Sequence, residues 1–271
     1  MNHLIEPEQL KQRLGEENLI IIDLCNPALY QQQHIPGAIQ LSGQRLVAGT
    51  APIPGACPEL SKLYEVMAYL GIDDSKQVVL CDDEGGGWAG RMAWSMDLLG
   101  LHNWLYLNGG IVPWIKEGFP TESTVNQPNS IEINSTIEPQ PATRIIADEI
   151  IQLLDTENFA VWDARSPGEY MGSMARSARA GHIPGAINLE WTDLVDRERN
   201  FRILEDAQQI LESLGLTKDK QIATHCQSHH RSSFTYMVGK ILGYNNIRGY
   251  DGSWGEWGNL EHTPIELGPQ K

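Results

Sequence analysis

The sequence predicts an α/β fold made of two similar domains in tandem, each a mainly parallel sheet flanked by helices. The first observation is that short apolar runs alternate with amphipathic segments along the chain, as they do in βα proteins. The second is a repeated motif, His-Ile-Pro-Gly-Ala-Ile, at residues 34–39 and 182–187. The third is a polar, proline-containing stretch at 121–143 between the two halves, which is typical of an extended linker.

The first half of the chain predicts strands and helices in turn. The continuous apolar run at 19–24 is typical of a strand that is buried on both faces of a parallel sheet. The segment 58–70 is amphipathic and stops at Gly71, a common helix end. In chain order, the predicted elements are a helix at 8–14, a strand at 19–24, a segment at 34–39 that turns the chain into another short strand, a helix at 58–70, a strand at 78–81, a glycine-rich loop at 82–88, a helix at 89–99, an apolar run at 104–106 and a short helix around Trp114.

The second half repeats the first in the same order. Residues 159–163 match 20–23, and 250–254 match 107–111, on either side of the repeated motif. Matches that keep their order over a whole half predict a duplication, with small insertions and deletions in loops. The predicted N-terminal domain therefore covers residues 1–120, the linker 121–143 and the C-terminal domain 144–271.

Composition limits the classes of partner and compartment. The chain has 271 residues, of which 41% are hydrophobic and 20% are charged, as in a soluble globular protein. Its net charge of −15 argues against nucleic acid or an anionic membrane surface as a partner. No apolar stretch approaches the length of a membrane span, and residues 1–7 lack the pattern of a signal peptide. The four cysteines show no paired spacing, so we expect a reducing compartment, the cytoplasm.

The strongest functional signal lies at residues 221–233. A short strand-like run is followed by Cys226, by polar residues as far as Arg231, and then by helical spacing with Ser232 or Ser233 as the predicted N-cap. The N–H groups of a tight loop and the positive end of a helix stabilise an anion, and Arg231 and the loop histidines add positive charge. Cys226 is therefore predicted to have a depressed pKa and to act as a nucleophile.

Two other interpretations of this cysteine stay open. A single cysteine is most often a small buried hydrophobe, but five polar residues follow Cys226, and this favours a partly exposed thiolate. His225, Cys226, His229 and His230 also have the residue types of a zinc site, but no second Cys/His pair lies nearby. The prediction is a catalytic cysteine with no metal and no cofactor.

The duplication supplies an internal comparison for Cys226. The matching place in the first half holds Asp82, and the loop 82–87 is acidic and has no nucleophile. Cys81 falls at the strand end, opposite His225, and is predicted to be buried and inert. The C-terminal domain is therefore predicted to be catalytic and the N-terminal domain to be a structural partner.

Four motifs of the chain together resemble those of tandem-domain rhodaneses, which are sulfurtransferases. They are residues 163–165 with Glu169-Tyr170, residues 181–186, His225-Cys226 to Arg231, and residues 250–257. The loop Cys-Gln-Ser-His-His-Arg is similar to that of bacterial thiosulfate sulfurtransferases of the two-domain type. This resemblance spans nearly the whole chain and implies two rhodanese-like domains, an inactive one and a C-terminal one that carries a persulfide on Cys226.

The site residues favour thiosulfate as the sulfur donor. Relatives that use 3-mercaptopyruvate typically carry an arginine where Glu169 stands, to hold a carboxylate, and their loop is small and neutral. Here the loop is polar and cationic, and Arg231 with the histidines fits a small dianion. A 3-mercaptopyruvate sulfurtransferase stays open as the alternative.

In the predicted reaction, the Cys226 thiolate takes the outer sulfur of thiosulfate, and sulfite leaves. A thiophilic acceptor (cyanide, a small dithiol or a protein thiol) then removes that sulfur. The predicted active loop consists of Gln227, Ser228, His229, His230 and Arg231, with Arg231 on the sulfonate. Behind it, Asp163 and Arg165 are predicted to form a structural ion pair, and Trp191 to be core or pocket wall.

A cysteine-dependent phosphatase is a less favoured alternative. Phosphatases related to this fold have five residues between the cysteine and the arginine, whereas four separate Cys226 from Arg231. A loop one residue shorter should not encircle a phosphate. A non-catalytic sulfide or metal sensor would suit a chain without Cys226.

Overall fold

The computed structural model describes residues 3–132 and 138–270, which fall into two compact units. Unit 1 comprises Met1–Leu46, Pro58–Gln140 and Val195–Ile203; unit 2 comprises Val47–Cys57, Pro141–Leu194 and Leu204–Lys271. The predicted domain boundaries at 120 and 143 stay a prediction. Residues 133–137 of the predicted linker, and residues 1, 2 and 271 of the predicted domains, lie outside the described residues.

Unit 1 is built on a five-stranded parallel sheet with the strand order β1-β5-β4-β2-β3. Its elements are β1 (Leu4–Ile5), α1 (Pro7–Arg13), β2 (Leu19–Asp23), α2 (Pro27–Gln32), β3 (Ile39–Gln40), α3 (Leu60–Leu70), β4 (Gln77–Cys81), α4 (Gly87–Leu98), β5 (Trp104–Leu107) and α5 (Ile111–Lys116). A short antiparallel pair, β8 (Val195–Asp196) and β9 (Arg202–Ile203), also belongs to this unit. The central strands β2 and β4 are apolar and end side by side, with Asp23 opposite Cys81.

Unit 2 is built on a four-stranded parallel sheet with the strand order β11-β10-β6-β7. Its elements are α6 (Ala147–Leu153), β6 (Phe159–Asp163), α7 (Pro167–Met171), β7 (Ile187–Asn188), α8 (Ala207–Ser213), β10 (Gln221–His225), α9 (Arg231–Ile241), β11 (Ile247–Gly249) and α10 (Ser253–Trp257). Strand β10 lies in the middle and pairs with β6 so that His225 is opposite Asp163. The carboxyl end of a central parallel strand is where α/β proteins place ligand sites.

The repeated motif, at residues 34–39 and 182–187, makes the same contacts in both units. His34 stacks on Tyr30 at 3.8 Å between ring centroids, and His182 stacks on Tyr170 at 3.7 Å. The two tyrosine hydroxyls donate to the carbonyl oxygen of the alanine in each motif, at 2.7 Å in unit 1 and 2.6 Å in unit 2. All four rings are buried. The motif therefore has a structural role: it connects the helix before it to the strand after it.

The predicted α/β class, with mainly parallel sheets flanked by helices, is confirmed. Two helix starts were misplaced by two residues. The helix predicted at 58–70 begins at Leu60, and the helix predicted at 89–99 begins at Gly87. The second starts early because Gly86 adopts a left-handed backbone (φ 97°) that ends the loop before it. No helix in the described residues is long and apolar enough to cross a membrane.

Candidate active site

Cys226 lies at the carboxyl end of β10, in the loop that leads into α9. The helix begins at Arg231 with His230 as its N-cap residue, so the prediction of Ser232 or Ser233 as the N-cap was wrong by two or three residues. His229 has a left-handed backbone (φ 52°) that turns the chain sharply towards the helix. This conformation wraps the five loop residues around the sulfur, because the strand and the helix fix both ends of a very short connection.

The structure corrects the expectation that Cys226 is partly exposed. The residue is only 1% exposed, because the polar residues that follow it fold over the sulfur. Burial alone would raise the pKa of the thiol. The charge of Arg231 and hydrogen bonds from Ser232 and from the Ser228 backbone outweigh burial and lower the pKa. The cysteine is thus both buried and biased towards the thiolate, the nucleophilic form.

Ser253 ties the two ends of the loop together, a role that the sequence reasoning missed. Its hydroxyl oxygen accepts the N–H of Cys226 at 3.3 Å and the N–H of His229 at 3.0 Å. The hydroxyl itself donates to the carbonyl of Tyr250 at 2.9 Å. Ser253 has a left-handed backbone (φ 52°) and is completely buried. One side chain therefore fixes the cysteine and the turn residue of the loop relative to α10.

Arg231 is not the free cation that the sequence predicted, because Glu169 binds it. The two guanidinium nitrogens donate to the two Glu169 oxygens at 2.6 Å and 2.9 Å. Burial would raise the pKa of Glu169, but the hydrogen bonds and charge of Arg231 lower it to about 2. Arg176 adds a second cation, with its Nε 3.2 Å from Glu169. The three side chains together carry one net positive charge beside Cys226.

Asp163, Arg165 and His225 form a buried polar group behind the loop. Arg165 donates to both oxygens of Asp163, with Nε at 2.9 Å and a terminal nitrogen at 2.5 Å. Burial would raise the pKa of Asp163, but the charge of Arg165 keeps it below its ordinary value. His225 lies 3.5 Å from Asp163, and its burial lowers its pKa to about 4, so the ring is neutral at neutral pH. The guanidinium also stacks 4.3 Å above Trp254.

The remaining loop residues pack against other parts of unit 2. Gln227 donates from Nε2 to the carbonyl of Arg176 and to the hydroxyl of Ser177, both at 3.3 Å. Gly55, in the segment Val47–Cys57, lies against Ser228 so closely that a Cβ on it would stand 1.8 Å from the Ser228 carbonyl oxygen. The sequence reasoning missed this contact as well. Only glycine fits there, because a side chain would displace the loop backbone.

The predicted aromatic wall is at the edge of the site. Trp191 is half-buried and meets Phe234 of α9 edge to face, with ring centroids 5.8 Å apart. Trp254 and Trp257 are buried in the core of unit 2. Their placement follows the usual use of large aromatic residues for packing.

The corresponding loop of unit 1 holds an anion of its own. Asp82 follows β4 where Cys226 follows β10. Its carboxylate accepts the N–H of Gly86 at 2.8 Å and the N–H of Ala89 at 2.9 Å. The acidic side chain therefore occupies the loop that in unit 2 surrounds the thiolate. The two halves show one loop design that stabilises negative charge, filled by a carboxylate in one case and by a sulfur in the other.

Within the described part of the chain, one group of side chains has the composition and spacing of a metal site. It consists of Asp23, Cys25 and Cys81 in unit 1, whereas Cys226 belongs to unit 2. All three are buried.

Comparisons with known proteins find relatives that match nearly the whole chain. The family model for the rhodanese-like domain matches residues 6–117 and 146–260. A protein of Pseudomonas aeruginosa named thiosulfate sulfurtransferase is 45% identical over 265 residues, which cover 97% of each chain. A protein of the same name from Azotobacter vinelandii is 43% identical over 264 residues, which also cover 97% of each chain. A sulfur carrier protein, TtuD, of Thermus thermophilus is 32% identical over 98% of this chain and 97% of its own.

Solved structures with the same fold are more distant in sequence. An anaerobic ergothioneine biosynthesis enzyme from Chlorobium limicola superimposes with a TM-score of 0.87 at 24% identity, covering 99% of this chain and 71% of its own. The structure of YnjE gives a TM-score of 0.86 at 22% identity, covering 98% of this chain and 68% of its own. These likenesses concern the fold alone.

The lowered pKa of Cys226 gives the first prediction. The thiolate absorbance of the wild-type chain, minus that of Cys226→Ser, should rise with pH at an inflection clearly below the ordinary value of about 8.5. Arg231→Gln should move the inflection upward, because the Arg231 charge is the largest influence that lowers it. An inflection at or above 8.5 in the wild-type chain would contradict the prediction.

The hydroxyl of Ser253 gives the second prediction. Ser253→Ala leaves two buried N–H groups without their acceptor, each costing about 1–3 kcal/mol. The urea midpoint should fall, and the pKa of Cys226 should rise, because the loop loses its fixed geometry. Ser95→Ala, which removes a hydroxyl that is equally buried in α4 of unit 1, is the matched control and should leave the Cys226 titration unchanged. Equal titrations in the two variants would remove Ser253 from this role.

Proposed function

The chain belongs to the rhodanese family, and on that basis we propose that it is a thiosulfate sulfurtransferase that works through a persulfide on Cys226. The observation that carries the proposal is a buried cysteine whose pKa is lowered by an arginine and by loop N–H groups. Relatives named thiosulfate sulfurtransferase that are 43–45% identical over 97% of the chain support the same activity. The enzyme needs no further group for this chemistry, since sulfur passes directly between nucleophiles.

The first half-reaction starts with the Cys226 thiolate. It attacks the outer sulfur of thiosulfate; a new S–S bond forms, and the S–S bond of thiosulfate breaks. Sulfite leaves with the bonding pair as a dianion, so no proton is needed at the leaving group. The enzyme is left with a Cys226 persulfide anion. Its terminal sulfur lies where the loop N–H groups and the N-terminus of α9 stabilise negative charge.

The second half-reaction returns the enzyme to its thiolate. Cyanide attacks the terminal sulfur, takes it as thiocyanate, and leaves the bonding pair on Cys226. A small dithiol or a protein thiol can take the sulfur in the same way. We propose such thiols as the cellular acceptors and the cytoplasm as the compartment. The absence of disulfides among Cys25, Cys57, Cys81 and Cys226 supports a reducing environment.

The charge balance beside Cys226 favours thiosulfate over 3-mercaptopyruvate. Glu169 stands where a carboxylate-binding arginine would be needed, and it already holds Arg231 through two hydrogen bonds. The net positive charge left by Arg231, Arg176 and Glu169 attracts a small dianion without offering a free bidentate partner to a carboxylate. The phosphatase alternative has less support, because four residues between Cys226 and Arg231 make a short loop.

Thiosulfate:cyanide activity in cysteine variants tests the proposed function. Cys226→Ser should abolish the formation of thiocyanate, because the hydroxyl cannot act as the sulfur-accepting nucleophile. Cys57→Ser is the control, since Cys57 is half-buried, lies outside the active loop and is not in the group of candidate metal ligands, and it should leave kcat/KM within about twofold. Retained activity in the Cys226 variant would overturn the assignment.

The Glu169–Arg231 ion pair gives a prediction about donor binding. Glu169→Gln raises the local net charge by one, so the KM for thiosulfate should fall; Arg231→Gln lowers the net charge, so the KM should rise. Each change should be on the order of tenfold, or about 1.4 kcal/mol. Glu149→Gln breaks a more exposed ion pair, with Arg248, elsewhere in unit 2 and is the control for the loss of one acidic charge.

The direction of the Glu169→Gln effect separates two roles. A fall in KM means that Glu169 competes with the donor for Arg231. A rise in both the Glu169 and the Arg231 variants would contradict that competition and would mean that Glu169 serves to hold Arg231 in place.

A further inference from the structure

Three side chains of unit 1 meet where strands β2 and β4 end. Asp23 and Cys81 are register partners across the two strands, and Cys25 follows two residues after Asp23. Their potential ligand atoms, one carboxylate oxygen and two sulfurs, all lie within 4.8 Å of one another. The three residues are 0%, 0% and 4% exposed for Asp23, Cys81 and Cys25. The group takes no part in the proposed sulfur transfer and lies in the other unit from Cys226.

The local backbone fixes this geometry. The N–H of Leu24 donates to the carbonyl of Cys81 at 2.9 Å, which continues the pairing of the strands by one residue. The N–H of Cys25 donates to Oδ1 of Asp23 at 2.9 Å, which turns the Cys25 side chain back towards the carboxylate. The arrangement therefore follows from the fold of the sheet and does not depend on flexible side chains.

Unit 2 shows what normally stands at these three places. There Asp163 is opposite His225, and Arg165 follows two residues later, with the same backbone hydrogen bonds. Arg165 provides the positive charge that neutralises the buried carboxylate, with two nitrogens on the two oxygens. In unit 1 the arginine and the histidine positions are both thiols. The duplicated frame keeps the buried acid but lacks the cation.

The Asp23 carboxylate shows the consequence. Its Oδ1 accepts the N–H of Cys25. Its Oδ2 is buried and makes no hydrogen bond of ordinary geometry with the described residues, although the Cys25 thiol and the charges of His34 and Asp83 act on the group. A buried carboxylate that has a thiol beside it instead of a cation is costly. Burial accordingly raises the pKa of Asp23, whereas the pKa of Asp163 is lowered.

We propose that Asp23, Cys25 and Cys81 bind one Zn²⁺ ion, which takes the place of the missing cation. Two thiolates and a carboxylate oxygen are zinc ligands, and tetrahedral Zn–S bonds of about 2.3 Å need sulfur atoms roughly 3.8 Å apart, within the observed spacing. Binding replaces the two thiol protons, and any proton on Asp23, which are released to solvent. Because the ligands are fully enclosed, the ion enters as the chain folds, so that metal binding is coupled to folding.

Zinc content after refolding tests the proposal. The chain with Cys226→Ser, which removes the active-site nucleophile as a competing thiolate, is unfolded with a reductant and refolded with Zn²⁺, then passed over a chelating resin. One equivalent of zinc per chain should remain. The same chain with Cys25→Ser and Cys81→Ser added should retain none, and Cys57→Ser in the Cys226→Ser background should retain the full equivalent. Asp23→Asn should weaken zinc binding by at least about 10–100-fold. That is the loss of affinity typical when a residue that only supports a metal ligand is replaced, and Asp23 is proposed as a ligand itself.

Three outcomes would overturn the site: no zinc held by the refolded Cys226→Ser chain, equal zinc in the chain that lacks Cys25 and Cys81, or a Cys25–Cys81 disulfide in the reduced and refolded protein. If the chain without both thiols fails to fold, Co²⁺ in the Cys226→Ser chain decides. Tetrahedral cobalt spectra with sulfur-to-cobalt charge transfer from two thiolates support the site, and their absence overturns it. None of these results depends on the sulfurtransferase activity.

Discussion

The stabilisation of negative charge on a buried sulfur is the constraint on which the architecture of unit 2 depends. A thiolate that is 1% exposed pays a desolvation cost, so every nearby group must favour the anion. Arg231, the N–H groups of Ser228 and Ser232, and the start of α9 do so directly. Ser253 does so indirectly, because it holds the N–H groups of Cys226 and His229 in place.

The duplication shows how one frame supports two electrostatic solutions. Both units place an acid at the end of the strand that pairs with the central strand, and both use a tight loop that favours an anion. Unit 2 neutralises Asp163 with Arg165 and leaves the loop to Cys226. Unit 1 fills its loop with the Asp82 carboxylate and surrounds Asp23 with thiols. The proposed catalysis and the proposed metal binding are therefore in different halves of the chain.

The local pattern of the sequence predicted the parts of the site that are close together in the chain. A strand, Cys226, a polar loop and a helix follow one another within 221–241, so periodicity and capping rules apply to them. The partner of Arg231 was missed, because Glu169 lies 62 residues away and is one of 35 acidic residues. Ser253 and Gly55 were missed for the same reason: their roles come from tertiary contacts. The burial of Cys226 was missed because polar neighbours can fold over a sulfur.

The central claim is that sulfur resides on Cys226 between the two half-reactions, and the mass of the intact chain tests this most directly. After thiosulfate treatment and removal of excess donor, we expect a mass increase of one sulfur atom, located on the peptide that contains Cys226. Cyanide should remove the added sulfur and release thiocyanate in equal amount. A chain that turns over thiosulfate and cyanide without ever gaining this mass, or that gains it on Cys25, Cys57 or Cys81, would contradict the account.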